Sequence, residues 1–319
     1  MTRVEHDQHD QHDQHDQEDT RRAGPSRRTV LVAGASALGA GVLAAAATAA
    51  TATLPPSPPL RRTAGTTTPE TPPEVTTVER VWSQARHTQV ELVTLLPSRM
   101  SARPLPVSLL LHGFHGRARF AAPTGTLAEL SRQVARHAVS SFGLVAVDGG
   151  DSYWHENHPG DDPMTMLLEE VPEWLGRRGL GGTGDSAGLP FACTGISMGG
   201  FGALLYARRR TERGRPVDAL ALLAPALMTS WSDMSSRNAF HGPADWASMD
   251  PLLHPGATEA VATGVWCGSE DQFITGVRRF ITETDPAVAY TAHGGHGDAF
   301  NRTVVGDVIG FLGRHVPVR

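Results

Sequence analysis

The chain has 319 residues, a formal net charge of −5, 28 basic residues that are all arginine, and two cysteines. Residues 1–19 hold seven acids and one arginine, so the rest of the chain is near neutral. No basic stripe is present, which excludes nucleic acid as an expected partner, and two cysteines are too few for a disulfide-stapled scaffold.

Residues 5–19 repeat His-Asp-Gln without an apolar side chain. Such a segment cannot bury enough surface to offset its ordering entropy and reads as a low-complexity tail. Arg27-Arg28 then precede an Ala/Gly-rich apolar run that ends near Ala50-Thr51-Ala52. The paired arginines and the A-x-A site resemble a twin-arginine export signal. The run is also long enough for a transmembrane anchor, but its small residues favour cleavage. The expected location is therefore secreted or cell-envelope, with membrane contact only through the signal. Residues 53–75 are rich in Pro and Thr and read as an extended linker. The domain reading is 1–52 tail and signal, 53–75 linker, and 76–319 one globular domain.

Inside that domain, eight strands are expected: 78–83 and 90–96 as a hairpin pair, then 107–111, 144–147, 190–193, 219–223, 261–267 and 288–292. The last six are short apolar runs, which suit strands buried on both faces. Helices are expected at about 123–139, 164–177, 198–210, 271–283 and 298–314. Strand–helix alternation predicts an α/β fold with a mostly parallel sheet and helices on both faces. Cys193 and Cys267 fall on strands that should not be adjacent, so both are expected as buried free thiols.

Two copies of Gly-x-Ser-x-Gly stand eleven residues apart, around Ser186 and around Ser197. The pattern marks a serine nucleophile on a tight strand-to-helix turn. Ser197 follows "LPFACTG" and precedes "GGFGALLYA"; Ser186 follows a Gly-rich stretch and a strand comes after it. The expectation is therefore Ser197, with Ser186 in an ordinary loop. A serine hydroxyl needs a base and a carboxylate to orient that base. In the order serine, acid, histidine, Asp271 at the end of "VWCGSED" is the candidate acid, with Glu270 as its competitor. His296 in "AHGGHGDAF" is the candidate base, with His293 as its competitor. A neutral imidazole base predicts activity that falls as pH drops through about 6–7.

The oxyanion needs N–H donors. They are expected from Met198, after the nucleophile, and from Phe114 in "LLLHGFHG". His112 and His115 in that loop are joined by no carboxylate or cysteine at ligand spacing, so no metal is expected. No cofactor is implied.

"LLLHGFHG", "VAVDGGDSYWH", "TGISMGGFGALLYA", "CGSEDQF" and "GGHGDAF" follow one another across residues 107–300. Together they resemble the α/β-hydrolase esterases of the esterase D type, a group that includes S-formylglutathione hydrolases and secreted mycolyltransferase antigens. The resemblance implies an α/β-hydrolase fold with Ser197, Asp271 and His296 as triad and Phe114 and Met198 at the oxyanion hole. It also implies that the loop carrying Tyr153 and Trp154 borders the active site. Phe300-Asn301 stand where such relatives commonly carry a tryptophan. Residues 229–258, with Trp231, Phe240 and Trp246, lie between the sixth and seventh strands and are expected either to cover the pocket or to pack as an ordinary loop. Tyr153, Trp154 and Trp231 are thus the candidate substrate contacts. The expected activity is a serine esterase acting on a small-molecule or lipid ester. The alternatives are acyl transfer to a sugar or lipid alcohol, and a non-catalytic secreted binding protein.

Overall fold

A computed structural model describes residues 74–97 and 104–318. The His-Asp-Gln repeat, the signal-like run and almost all of the linker lie outside the described residues. Eight strands form one sheet: β1 Val75–Ser83, β2 Thr88–Leu96, β3 Val107–Leu111, β4 Gly143–Val147, β5 Ala192–Ile196, β6 Ala219–Leu223, β7 Ala262–Gly268 and β8 Val288–Ala292. Their spatial order is β1-β2-β4-β3-β5-β6-β7-β8. β1 and β2 form an antiparallel hairpin, β2 runs antiparallel to β4, and the remaining neighbours are parallel.

The central strands read as unbroken apolar runs because each faces two cores. Leu109 and Leu111, Val145 and Val147, and Leu220 and Leu222 point to one side. Leu110, Leu144 and Ala146, and Ala219, Ala221 and Leu223 point to the other. Period-2 alternation of side chains makes this division unavoidable once both faces are covered. Helices α1 Thr126–Ala135 and α8 Asp298–Arg314 cover the second face. The first face is covered by α2 Pro163–Thr165, α3 Val171–Arg177, α4 Met198–Glu212, α5 Trp231–Ser235, α6 Pro243–Met249 and α7 Ile274–Thr284.

Several boundaries differ from expectation for local reasons. The first strand starts at Val75, so the hairpin takes in the end of the Pro/Thr-rich stretch. The strand expected at 190–193 is Ala192–Ile196 and runs up to the residue before Ser197; Pro190, without an N–H, stays outside the ladder. The helix expected at 123–139 is shorter, entering after Gly125 in a left-handed conformation and ending before His137 with φ 55°. β8 is not buried on both faces. It is one of the two edge strands, and Tyr290 is 40% exposed. The helical stretch expected at 164–177 contains a π-helical segment, Met166–Glu170, between α2 and α3. It aims the Glu170 carboxylate at the β1–β2 turn, where Ser83 Oγ and the Gln84 and Ala85 N–H groups donate to it at 2.5–3.0 Å.

Cys193 and Cys267 are buried free thiols. They lie on β5 and β7 with β6 between.

Candidate active site

The chain passes from β3 to β4 on one side and then crosses back to β5 on the other side of β3. This is a topological switch point, where the loops after the strands diverge and open a crevice at their carboxyl ends. Ser197 follows β5, Asp271 follows β7, His296 follows β8, and His112–Gly113 follow β3.

Ser197 adopts φ 57° and ψ −120°, a strained conformation for a residue with a side chain. The turn is held by the Ser197 N–H donating to the Leu223 carbonyl at 3.0 Å and by the Ala226 and Gly200 N–H groups donating to the Ser197 carbonyl at 2.9 and 2.8 Å. The flanking glycines are dictated by contact distance. A Cβ on Gly195 would stand 2.0 Å from the Gly199 carbonyl oxygen, and one on Gly199 would stand 2.0 Å from that of Leu111. The same five-residue pattern around Ser186 has another cause. Gly184–Ser186 is an exposed 3₁₀ turn, and Gly188, at φ 74°, lies where a Cβ would meet the Pro172 carbonyl at 1.9 Å. Those glycines build a surface turn.

The His296 imidazole bridges the other two groups. Nε2 lies 2.9 Å from Ser197 Oγ, and Nδ1 lies 2.8 Å from Asp271 Oδ2. The Asp271 side chain is fully buried while that of His296 is 27% exposed. The other Asp271 oxygen accepts the Phe273 N–H at 2.8 Å, an Asx-type turn that sets the carboxylate plane. The Phe273 ring meets the imidazole edge-on, with centroids 5.1 Å apart. The competitors Glu270 and His293 pair with each other at 3.3 Å on the surface, outside this chain of hydrogen bonds. Phe300 is buried beneath Gly294 in the loop that carries His296.

The loop after β3 is clamped from both sides. The Gly149 N–H donates to His112 Nε2 at 2.9 Å, which requires the proton on Nδ1 and makes Nδ1 the donor to the Gly113 carbonyl at 2.8 Å. Burial pushes the His112 pKa down, consistent with a neutral ring. The His115 N–H and Nδ1 are held by the Asp151 carboxylate at 2.6 and 2.9 Å. A Cβ on Gly113 would lie 3.3 Å from Ser197 Cβ, so this loop abuts the nucleophile turn. The Phe114 N–H and the Met198 N–H at the start of α4 make no hydrogen bond among the described residues. Donors left open beside a serine are what a developing oxyanion needs, and the start of α4 adds its dipole.

The candidate substrate contacts separate. Tyr153 and Trp154 take consecutive positive φ angles of 54° and 67°. That turn sends Trp154 inward, where it is 0% exposed, packs on Gly149 and Gly202, and donates from Nε1 to the His112 carbonyl at 3.3 Å. It braces the loop after β3 and has no surface left for a ligand. Tyr153 packs among Phe114, Phe201 and Phe240, and burial raises its phenol to about 12. Trp231 is partly buried and meets Trp246, with ring centroids 6.1 Å apart. Sequence reading missed Phe273 and Arg237. Phe273 was legible as the second residue after an aspartate in the turn that follows a strand. Arg237, whose guanidinium lies 5.4 Å from the Phe114 ring centroid, carried no local signal. No cluster of three or more metal-ligating side chains occurs among the described residues.

The Esterase family model matches residues 83–301. The chain belongs to the Esterase family. No curated protein sequence matches it. Among solved structures it is similar to a ferulic acid esterase, with a TM-score of 0.62 and 16% identity over 76% of this chain and 99% of that one. It is also similar to an S-formylglutathione hydrolase from Agrobacterium tumefaciens, with a TM-score of 0.57 and 17% identity over 75% and 95% of the two chains. A third is FphF, a fluorophosphonate-binding serine hydrolase of Staphylococcus aureus, with a TM-score of 0.55 and 19% identity over 75% and 99%. At these identities the likeness carries the fold, and this esterase-family chain has the α/β-hydrolase architecture expected from its motifs.

Proposed function

We propose that the chain is an exported serine hydrolase that cleaves a carboxylic ester through an acyl-enzyme. The observation that carries this reading is the unbroken line from Ser197 Oγ through His296 to Asp271, at 2.9 and 2.8 Å. Ser197 Oγ attacks the ester carbonyl carbon while His296 Nε2 takes its proton. Asp271 keeps the remaining imidazole proton on Nδ1 and stabilises the imidazolium as it forms. The negative oxygen of the tetrahedral intermediate faces the Met198 and Phe114 N–H groups. As the intermediate collapses, the ester C–O bond breaks and His296 returns the proton to the leaving alcohol. Water then repeats the sequence on the acyl-enzyme and releases the acid. No step needs a cofactor.

The substrates named for the structural neighbours, a ferulic acid ester and S-formylglutathione, mark the range of esters and thioesters this fold accommodates. An exported protein points away from a cytosolic thioester. Export itself rests on Arg27-Arg28 and the Ala-rich run after them. The expected result of Arg27→Lys with Arg28→Lys is retention inside the cell.

The decisive test is labelling with a fluorophosphonate on wild type, Ser197→Ala and Ser186→Ala. Label lost only in Ser197→Ala supports the esterase reading. No label on wild type overturns it in favour of a binding protein. Product analysis with an added alcohol acceptor then separates hydrolysis from acyl transfer.

A further inference from the structure

Many arginines of the domain are committed to carboxylates, among them Arg86 with Asp161 and Arg178 with Glu79. Buried Arg210 is bound to carbonyls and to the Tyr206 hydroxyl. Arg237 differs. It follows α5 and is half-buried, and its Nε is removed from solvent with no hydrogen-bond partner. None of its guanidinium N–H groups meets a carboxylate or carbonyl among the described residues. Its contact is the Phe114 ring, at 5.4 Å. A buried Nε without a partner costs free energy, and a guanidinium paired with no carboxylate is available to an anion.

Arg237 lines a cavity of about 310 Å³ together with Met228, Asp233, Gln272 and Phe273. Two of its lining residues touch groups of the candidate site: Phe273 meets His296 and Arg237 meets Phe114. Phe273 packs edge-on against the His296 imidazole. Phe114, under the guanidinium, supplies the open N–H beside Ser197. Arg237 is thus one ring away from the groups around Ser197, within reach of a second group on an ester held there. The volume is at the small end of the range for ligand pockets.

We propose that Arg237 binds a carboxylate carried by the substrate, so that the preferred esters are short and monoanionic. This rests on the esterase reading of Ser197. A guanidinium fork matches a planar carboxylate with two parallel N–H···O bonds, and Gln272 adds a neutral amide on the same wall. Asp233 on that wall and the buried Asp271 nearby disfavour a dianion such as a phosphate monoester. Arg237 is thus a specificity-determining residue.

The test compares matched ester pairs that differ only in charge, followed in a pH-stat at pH 7.5. Methyl hydrogen adipate against methyl hexanoate places the charge on the acyl side. 4-Carboxyphenyl butyrate against 4-methylphenyl butyrate places it on the alcohol side. Each is measured on wild type, Arg237→Met and Arg237→Lys. Arg237→Met keeps the cover over Phe114 and removes the charge. In one pair, wild type should favour the anion in kcat/KM by about tenfold or more, as a charge-assisted hydrogen bond predicts. Arg237→Met should erase that preference mainly through KM, and Arg237→Lys should restore part of it. No anion preference in wild type overturns the proposal. So does a preference that survives Arg237→Met, or an equal fall for both members of a pair, which would make Arg237 only a packing residue. Fluorophosphonate labelling of wild type distinguishes these failures from failure of the esterase reading. A labelled enzyme without anion preference refutes the arginine alone, whereas an unlabelled, inactive chain refutes both.

Discussion

At Ser197 the decisive quantity is backbone strain. A residue with a side chain is held at φ 57° because the glycines around it let two carbonyls approach. In the proposed mechanism the hydroxyl is the nucleophile, so Ser197→Ala should lower kcat by about 10⁴-fold or more in a steady-state ester assay. Asp271→Asn keeps the shape but favours the wrong imidazole tautomer and should cost about 10⁴-fold. Glu270→Gln and His293→Gln break only a surface pair. They should leave kcat/KM within about twofold, since exposed pairs contribute about 0–1 kcal/mol. A large loss in either would reassign the acid or the base. The cysteines give a further check. Burial pushes the Cys267 thiol up to about 12 and raises that of Cys193 as well. Neither should react with a thiol reagent in the native protein, and both should react after denaturation.

At the scale of elements, the site is a set of loops whose lengths are set by close approach. Gly199 at the start of α4 lies against the end of β3. Gly199→Ala must push the helix away from the loop after β3. The expected cost is about 1–3 kcal/mol of stability, with a loss of activity larger than the loss of folded protein. Urea unfolding beside kcat/KM separates the two. The loop after β4 acts as a brace: Asp148 and Asp151 accept N–H groups from the β3 loop, and Trp154 props it from below. Trp154→Leu should therefore impair turnover without touching the substrate. An effect confined to KM would argue against bracing.

For the whole molecule, pH acts through histidines buried as neutral rings. Burial lowers the pKa of His112 and of His155 below the ordinary value. The unfolded chain, with histidines near about 6.5, then binds more protons than the folded one once pH falls below that value. Stability is full above about 6.5 and declines as pH falls toward the lowered folded values. Melting temperatures recorded from pH 7.5 to 5 should fall. His112→Gln should show a lower starting point and a shallower fall. A profile that is flat or rises toward acid would contradict this linkage.

The order of elements, the two-sided burial of the central strands and the placing of Ser197, unlike Ser186, between a strand and a helix were legible in the sequence. Each depends on local pattern: apolar runs of strand length, and a strand before and a helix after the serine. Asp271 and His296 were legible as candidates because a strand end followed by a turn places a side chain at the sheet edge. That Asp271 and His296, rather than Glu270 and His293, reach toward Ser197 is visible only in the structure, since neighbours on one loop differ only in direction. Trp154 read as a pocket residue because its loop borders the site. Two consecutive left-handed residues turned it into the core, a reversal that composition does not encode. Arg237 was invisible for a similar reason. Its significance lies in the partner it lacks and in the ring of Phe114 beneath it, 123 positions earlier in the chain. Covalent order and side-chain periodicity determined the sheet and the strand ends that carry the chemistry. Only tertiary packing, which brings distant loops within hydrogen-bond distance and decides which groups keep a partner, settled the geometry of the site.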